Sequence, residues 1–180
     1  SKSSKLHVFR HENGTEENYA IEIGSPDRSL PVLCRIHSAC FTGDLLGSLK
    51  CDCGAQLNRA LEQMGEEQSG ILLYLNQEGR GIGLTNKMRA YALQNQGFDT
   101  VEANHRLGFE DEERDFEIAA NILKNLDFNS TRLLTNNPNK IKMMNSSGIE
   151  VVERVSLTVG KTAENAHYLA TKVKKSGHFN

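Results

Sequence analysis

Three cysteines, Cys40, Cys51 and Cys53, constrain this chain more than any other feature. A Cys-x-Cys pair that joins a loop to a helix can turn both sulfurs toward one ion, and thiolates bind zinc at about 2.3 Å. A helix N-terminus beside them also lowers thiol pKa values and favours ligation. The fourth cysteine, Cys34, lies in the apolar run Val32-Leu33-Cys34 and reads as core packing. Two disulfides are the rival reading, but Cys51 and Cys53 are too close for a comfortable bridge. All four cysteines also fall between positions 34 and 53, where bridges would staple little. A chain of 180 residues buries roughly two-thirds of its unfolded surface and needs no staples. No basic-then-apolar leader opens the sequence, so the reducing cytoplasm is the expected compartment, where clustered cysteines point to metal or catalysis. Three ligands leave an open position, the arrangement of a catalytic zinc. On spacing alone, buried thiols that behave as small hydrophobes stay open as an alternative.

The charge balance, 21 Lys+Arg against 23 Asp+Glu, argues against nucleic acid and a membrane surface as partners. Hydrophobic periodicity predicts strands near 19–23, 31–36, 70–75, 132–135 and 149–152. It predicts helices from just after Cys53 to Gly65, from Leu84 to Gln96, around 116–123, over 138–145 and over 163–175. The run Gly70-Ile-Leu-Leu-Tyr-Leu75 is continuous, as expected of a strand buried on both faces. Strands alternating with helices predict an α/β fold, a single domain with a mixed, mostly parallel sheet and helices packed around it. Residues 1–17 read as a poorly patterned N-terminal segment, and 18–180 as the folded domain. Residues 98–114 show no period and read as a long loop.

Gln77-Glu-Gly-Arg-Gly-Ile-Gly83 follows one strand and precedes a helix. Glycines there admit a ligand to the backbone, and a helix N-terminus welcomes phosphate, although a plain tight turn explains the run equally well. The run fits neither a P-loop nor a dinucleotide fingerprint. Arg35, Arg80 and Lys140 fall where strands are expected to end, which is where open α/β sheets bind ligands. In a slightly acidic chain such cations suit a polyphosphate, while each alone reads as a solvated surface charge. Glu110-Asp-Glu-Glu-Arg-Asp115 is either a solvated helix start or a carboxylate beside an arginine able to act on phosphate. His37 and His105 show no metal-ligand spacing and read as polar contacts.

In order, these motifs resemble GTP cyclohydrolase II. The residues that carry the resemblance are Arg35-Ile-His-Ser-Ala-Cys40, Thr42-Gly-Asp44, Leu49-Lys-Cys-Asp-Cys-Gly-Ala-Gln56 and Gln77 to Leu84. They continue with Asn86-Lys-Met-Arg-Ala-Tyr-Ala-Leu93, Asp99-Thr-Val-Glu-Ala-Asn-His105, Leu107-Gly-Phe109, Arg114-Asp-Phe116 and Leu134-Thr-Asn-Asn-Pro138. The resemblance implies hydrolysis of GTP to formate, pyrophosphate and a diaminopyrimidine ribosyl phosphate, at the start of riboflavin synthesis. It implies one Zn2+ per subunit, Mg2+ with the triphosphate, and a homodimer.

The resemblance makes Cys40, Cys51 and Cys53 the zinc ligands. It makes Tyr91 catalytic in ring opening and Arg114 the residue acting on the α-phosphate, by attack or by stabilising charge. GTP contacts fall on Arg35, Ile36, His37, Ser38, Ala39, Gln56, Glu78, Gly79, Arg80, Thr100, Thr135 and Lys140. The sequence departs from the family pattern in two places. Glu112 stands where the family's proton acceptor is usually aspartate, with Asp111 a competitor, and Ala39 stands where a glutamate commonly precedes the first zinc cysteine.

Overall fold

The computed structural model describes residues 3–10, 12, 14–110 and 114–179. The chain runs β1 (Ser4–Arg10), β2 (Glu17–Gly24), β3 (Val32–Ser38), α1 (Cys53–Glu67), β4 (Ser69–Leu75) and α2 (Gly83–Gln94). It continues with α3 (Thr100–Arg106), α4 (Glu117–Asn125), β5 (Ser130–Leu134), α5 (Pro138–Ser146), β6 (Glu150–Val155) and α6 (Ala166–Ser176). A π-helical turn spans Phe41–Leu45 and a 3-10 turn spans Glu78–Gly81.

Six strands make one sheet in the order β1-β2-β4-β3-β5-β6. The pairs β3–β4, β3–β5 and β5–β6 are parallel, while β1–β2 and β2–β4 are antiparallel. The α/β class and the mixed, mostly parallel sheet are therefore as expected. β4 is central and its side chains divide between the two faces. Ile71, Leu73 and Leu75 join Cys34, Ile36 and Leu133 under α4 and α5, with Phe116, Leu123 and Phe128 filling the layer. Leu72 joins Leu33 and Leu134 on the other face, under Ala60 and Met64 of α1. Cys34 is fully buried, as its packing role requires, and burial pushes its thiol up to about 12.

Two segments differ from the sequence reading. Within residues 1–17, read as unpatterned, lies the edge strand β1, paired with β2 from Ser4↔Ile23 to Arg10↔Glu17. The alternation is hidden because the exposed face carries Leu6 and Val8 while the half-covered face carries His7 beside Phe9, and charge on an edge, here Lys5 and Arg10, guards against pairing with another chain. Its His7 meets the buried Glu22 of β2 at 3.2 Å, and Arg28 reaches the same carboxylate at 2.9 Å. Within residues 98–114, read as a loop, lies α3. The Asp99 carboxylate accepts from the backbone N–H groups of Val101 and Glu102, and the Glu102 carboxylate accepts from the Asp99 N–H. That capping box, Asp-x-x-Glu, is a start signal present in the sequence.

From β3 the chain crosses through α1 to β4, then returns through α4 to β5 on the other side of β3. A crevice opens at the carboxyl ends of the strands where the direction of winding reverses, and ligands bind open α/β sheets there. No helix among the described residues is long and apolar enough to cross a membrane.

Candidate active site

At those carboxyl ends lies a cleft that opens to solvent. The π-helical turn after β3 carries Cys40 into it, and the start of α1 carries Cys51 and Cys53. The Sγ atoms of Cys40 and Cys51 are 3.7 Å apart, and all three sulfurs lie within 4.8 Å of one another. A tetrahedral zinc with bonds of about 2.3 Å spaces its sulfurs by roughly 3.8 Å, so the trio fits that ion. Gly43 fills the gap behind it: a Cβ there would sit 2.8 Å from Cys51 Sγ and 3.0 Å from Cys40 Sγ. Three soft donors gathered at a cleft wall could hold such an ion.

The three thiols share charge unevenly. Hydrogen bonds from Cys51 and Cys53, and then the Lys87 ammonium, hold the Cys40 thiol well below its ordinary range. The same sharing raises Cys51 and Cys53, since three neighbouring thiols do not all ionise without a positive ion. Lys87 Nζ donates to Cys40 Sγ at 3.1 Å, to Thr42 Oγ1 at 3.1 Å and to Glu78 Oε1 at 2.8 Å. Burial alone would lower the Lys87 pKa, but Glu78 and Cys40 outweigh it and raise the net value.

Glu78 ties the glycine-rich turn to the thiol loop. Its Oε2 accepts the Phe41 N–H at 2.6 Å and its Oε1 accepts the Gly79 N–H at 2.8 Å. Gly79 and Arg80 both adopt the left-handed conformation, with φ of 64°. For Arg80 this conformation costs roughly 1–2 kcal/mol, and the anchoring by Glu78 offsets it.

The cleft is lined by most of the residues singled out in the sequence: Arg35, Ser38, Ala39, Gln56, Glu78, Gly79 and Arg80, then Tyr91, Thr100, Arg114, Thr135 and Lys140. Arg35 lies inside β3 rather than after it, because that strand runs on to Ser38. It is buried on the α1 side, where Nη2 donates to Gln56 Oε1 at 2.6 Å and Nη1 to the Leu134 carbonyl at 3.0 Å. Burial pushes its pKa down to about 10, which leaves it charged at neutral pH. Lys140 opens α5 and donates to the Ile36 carbonyl at 2.7 Å. Arg114 Nη1 lies 3.4 Å from Ser38 Oγ.

Ile36 and His37 stand apart from the lining. Ile36 is core, and His37 Nε2 meets the Asp44 carboxylate at 3.0 Å while its ring stacks on Tyr74. Burial lowers the His37 pKa, so a neutral ring donates to Asp44. Glu112 lies outside the described residues, as does Asp111. α2 turns Lys87 and Ala90 inward and leaves Met88 exposed, while Tyr91 reaches the cleft half-buried. Burial raises the Tyr91 phenol well above its ordinary range, so it keeps its proton at neutral pH.

A sequence model of GTP cyclohydrolase II matches residues 2–156. The chain belongs to that family. Curated GTP cyclohydrolase-2 proteins agree with it over most of their length. The protein of Pectobacterium atrosepticum is 57% identical over 163 residues, which are 91% of this chain and 83% of that one. The protein of Hamiltonella defensa is 56% identical over 171 residues, 95% and 87% of the two chains. The protein of Actinobacillus succinogenes is 55% identical over 175 residues, 97% and 81%. For a member of the GTP cyclohydrolase II family, the cleft also holds residues that no local motif announced. Lys87 sits in the quoted Asn86 to Leu93 stretch, yet at a helix start it reads as an ordinary surface charge. Tyr168, Lys172 and His178 reach the cleft from the C-terminal end of the chain.

Proposed function

We propose that this cleft hydrolyses GTP at the first step of riboflavin biosynthesis. The imidazole ring of the guanine opens, formate and pyrophosphate leave, and 2,5-diamino-6-ribosylamino-4(3H)-pyrimidinone 5′-phosphate remains. The observation that carries this reading is that three converging thiols and four cations, Arg35, Arg80, Arg114 and Lys140, share one cleft. Cys40, Cys51 and Cys53 would hold a zinc ion, which when bound would supply Lewis-acid activation for attack on guanine C8.

The chain's own residues do the rest. Lys87 and Glu78 brace the thiol loop against the glycine-rich turn. Tyr91, a phenol that stays protonated, suits donation to the ring nitrogen that becomes an amine as C8 departs. Arg80, Arg114 and Lys140 offset the triphosphate charge, with Mg2+ accompanying that group. A permanently charged guanidinium is a poor nucleophile, so Arg114 acts on the α-phosphate by stabilising charge. Glu112 is the proton acceptor in this reading. Ser38, Ala39, Gln56, Gly79, Thr100 and Thr135 hold the nucleotide, and Ile36 and His37 contribute through the backbone.

A homodimer in the cytoplasm belongs to the same reading. The exposed Leu45, Leu46 and Leu49 beside the thiol loop are apolar surface of the kind an interface covers. The test is incubation with GTP, Zn2+ and Mg2+ and separate assay of formate and pyrophosphate. Both products are expected. Pyrophosphate without formate would mean an enzyme that stops at a formylated intermediate, and neither product would end the hydrolase reading.

A further inference from the structure

The last helix has no part in the chemistry above, yet it walls the cleft. Lys172 of α6 donates to Asp52 Oδ1 at 2.7 Å, and its ammonium lies 4.5 Å over the Tyr168 ring. Asp52 sits between two of the thiols at the N-cap position of α1, but its carboxylate makes no cap there. It meets Lys172 and, through its other oxygen, Gln56, which in turn accepts from Arg35. α6 is thereby tied to the loop that carries the cysteines.

The chain leaves α6 through Gly177, whose φ of 64° turns it back toward the sheet. The His178 N–H donates to the Lys172 carbonyl at 3.1 Å, and the Phe179 N–H donates to the Asn136 carbonyl at 2.8 Å. The Arg154 guanidinium covers the Phe179 ring at 4.6 Å. This strap places His178 in the lining of the cleft, among Lys172, Arg80, Arg114 and Lys140. Its Nδ1 is buried and has no hydrogen-bond partner among the described residues. A buried polar atom without a partner is costly unless a ligand or water completes it. Burial, and then those four cations, push its pKa down to about 4. The ring is thus neutral at pH 7 and carries one N–H donor and one acceptor nitrogen.

We propose that the C-terminal strap is part of the substrate site, with His178 a phosphate-binding residue held in place by Phe179 on Asn136 and Arg154. The inference rests on the GTP reading. A neutral donor adds an anion contact without adding to the repulsion among the cations of the free enzyme, and Lys172 extends the basic wall toward the thiols.

The test compares wild type with His178→Ala, His178→Gln and Phe179→Ala, using pyrophosphate and guanosine as competitors of GTP turnover and titrating pyrophosphate directly by calorimetry. His178→Ala is expected to weaken pyrophosphate about tenfold, the loss of one hydrogen bond to a charged group, and to leave guanosine unchanged. His178→Gln, which keeps a neutral donor, is expected to recover part of the loss. Phe179→Ala should shift pyrophosphate in the same direction by a smaller factor. Unchanged pyrophosphate affinity in His178→Ala overturns the proposal, and so does equal weakening of pyrophosphate and guanosine. If wild type releases neither formate nor pyrophosphate from GTP, the function reading fails, while calorimetry with pyrophosphate still decides the strap.

Discussion

Lys87 and Glu78 form a 2.8 Å ion pair whose ammonium also lies 3.1 Å from Cys40 Sγ, so one lysine joins the glycine-rich turn to the thiol loop. Both side chains are largely shielded, at 10% and 13% exposure. Removing one partner strands the other, which costs about 3 kcal/mol, whereas removing both costs less than the sum. Urea unfolding of Lys87→Met, Glu78→Gln and the double variant is expected to show a coupling above about 1 kcal/mol. Additive losses would mean that the pair does not brace the site.

Gly43 is present because nothing larger fits behind the sulfurs. The Cβ of Gly43→Ala would stand 2.8 Å from Cys51 Sγ, with the Cys53 Cβ also close at 3.1 Å. The sulfurs must part, and zinc affinity is expected to fall about 10–100-fold, as when other outer supports of a metal site are lost. Competition with a metal-sensitive dye measures this. A circular dichroism spectrum unchanged from wild type shows that the fold has held, and unchanged affinity would contradict the cradle.

Tyr91→Phe keeps the ring and removes the proton. Formate release is expected to fall about 10²–10⁴-fold, the usual contribution of a positioned proton donor, with zinc content unchanged. Single-turnover formate assays beside metal analysis read both quantities. Wild-type formate release in this variant would leave Tyr91 a packing residue.

Glu22 carries a pH dependence remote from the cleft. The hydrogen bond from Arg28, helped by His7, lowers its pKa against the burial that would raise it. A carboxylate lowered on folding stabilises the native state above its unfolded value of about 4.3 and loses that contribution as pH falls through the lower folded value. Glu22→Gln should therefore be less stable than wild type near pH 7, with the gap closing as pH falls below about 4. Unfolding free energies across pH 3–7 measure the gap. A gap that does not narrow as pH falls from 5 to 3 would place the role of Glu22 in packing rather than charge.

Much of this molecule was legible in its sequence, for physical reasons that differ by element. The β4 run Ile71 to Leu75 and the α1 stripe Leu57, Ala60, Leu61 and Met64 announce themselves because burial demands uniform apolarity or a 3.6 period. β1 escaped notice because an edge strand buries little, and α3 because its signal was the cap, Asp99 with Glu102, rather than its period. In the cleft, the thiols and the glycine-rich turn are local patterns and were visible. Lys87 and Lys172 act across 47 and 120 positions of separation, and His178 faces Arg80, Arg114 and Lys140 from a distant part of the chain, which no window of sequence reveals. Arg35 reads as the end of its strand, but β3 continues three residues past it, to Ser38.

The most direct measurement is formate release from GTP, with Mg2+ present, as zinc is added back to metal-depleted protein. Release is expected to rise with zinc and saturate near one ion per chain, with pyrophosphate formed in step, and to be absent at every zinc level in Cys51→Ser. Formate released equally by metal-depleted protein, or undiminished by Cys51→Ser, would contradict a zinc-dependent reaction at the Cys40, Cys51 and Cys53 site.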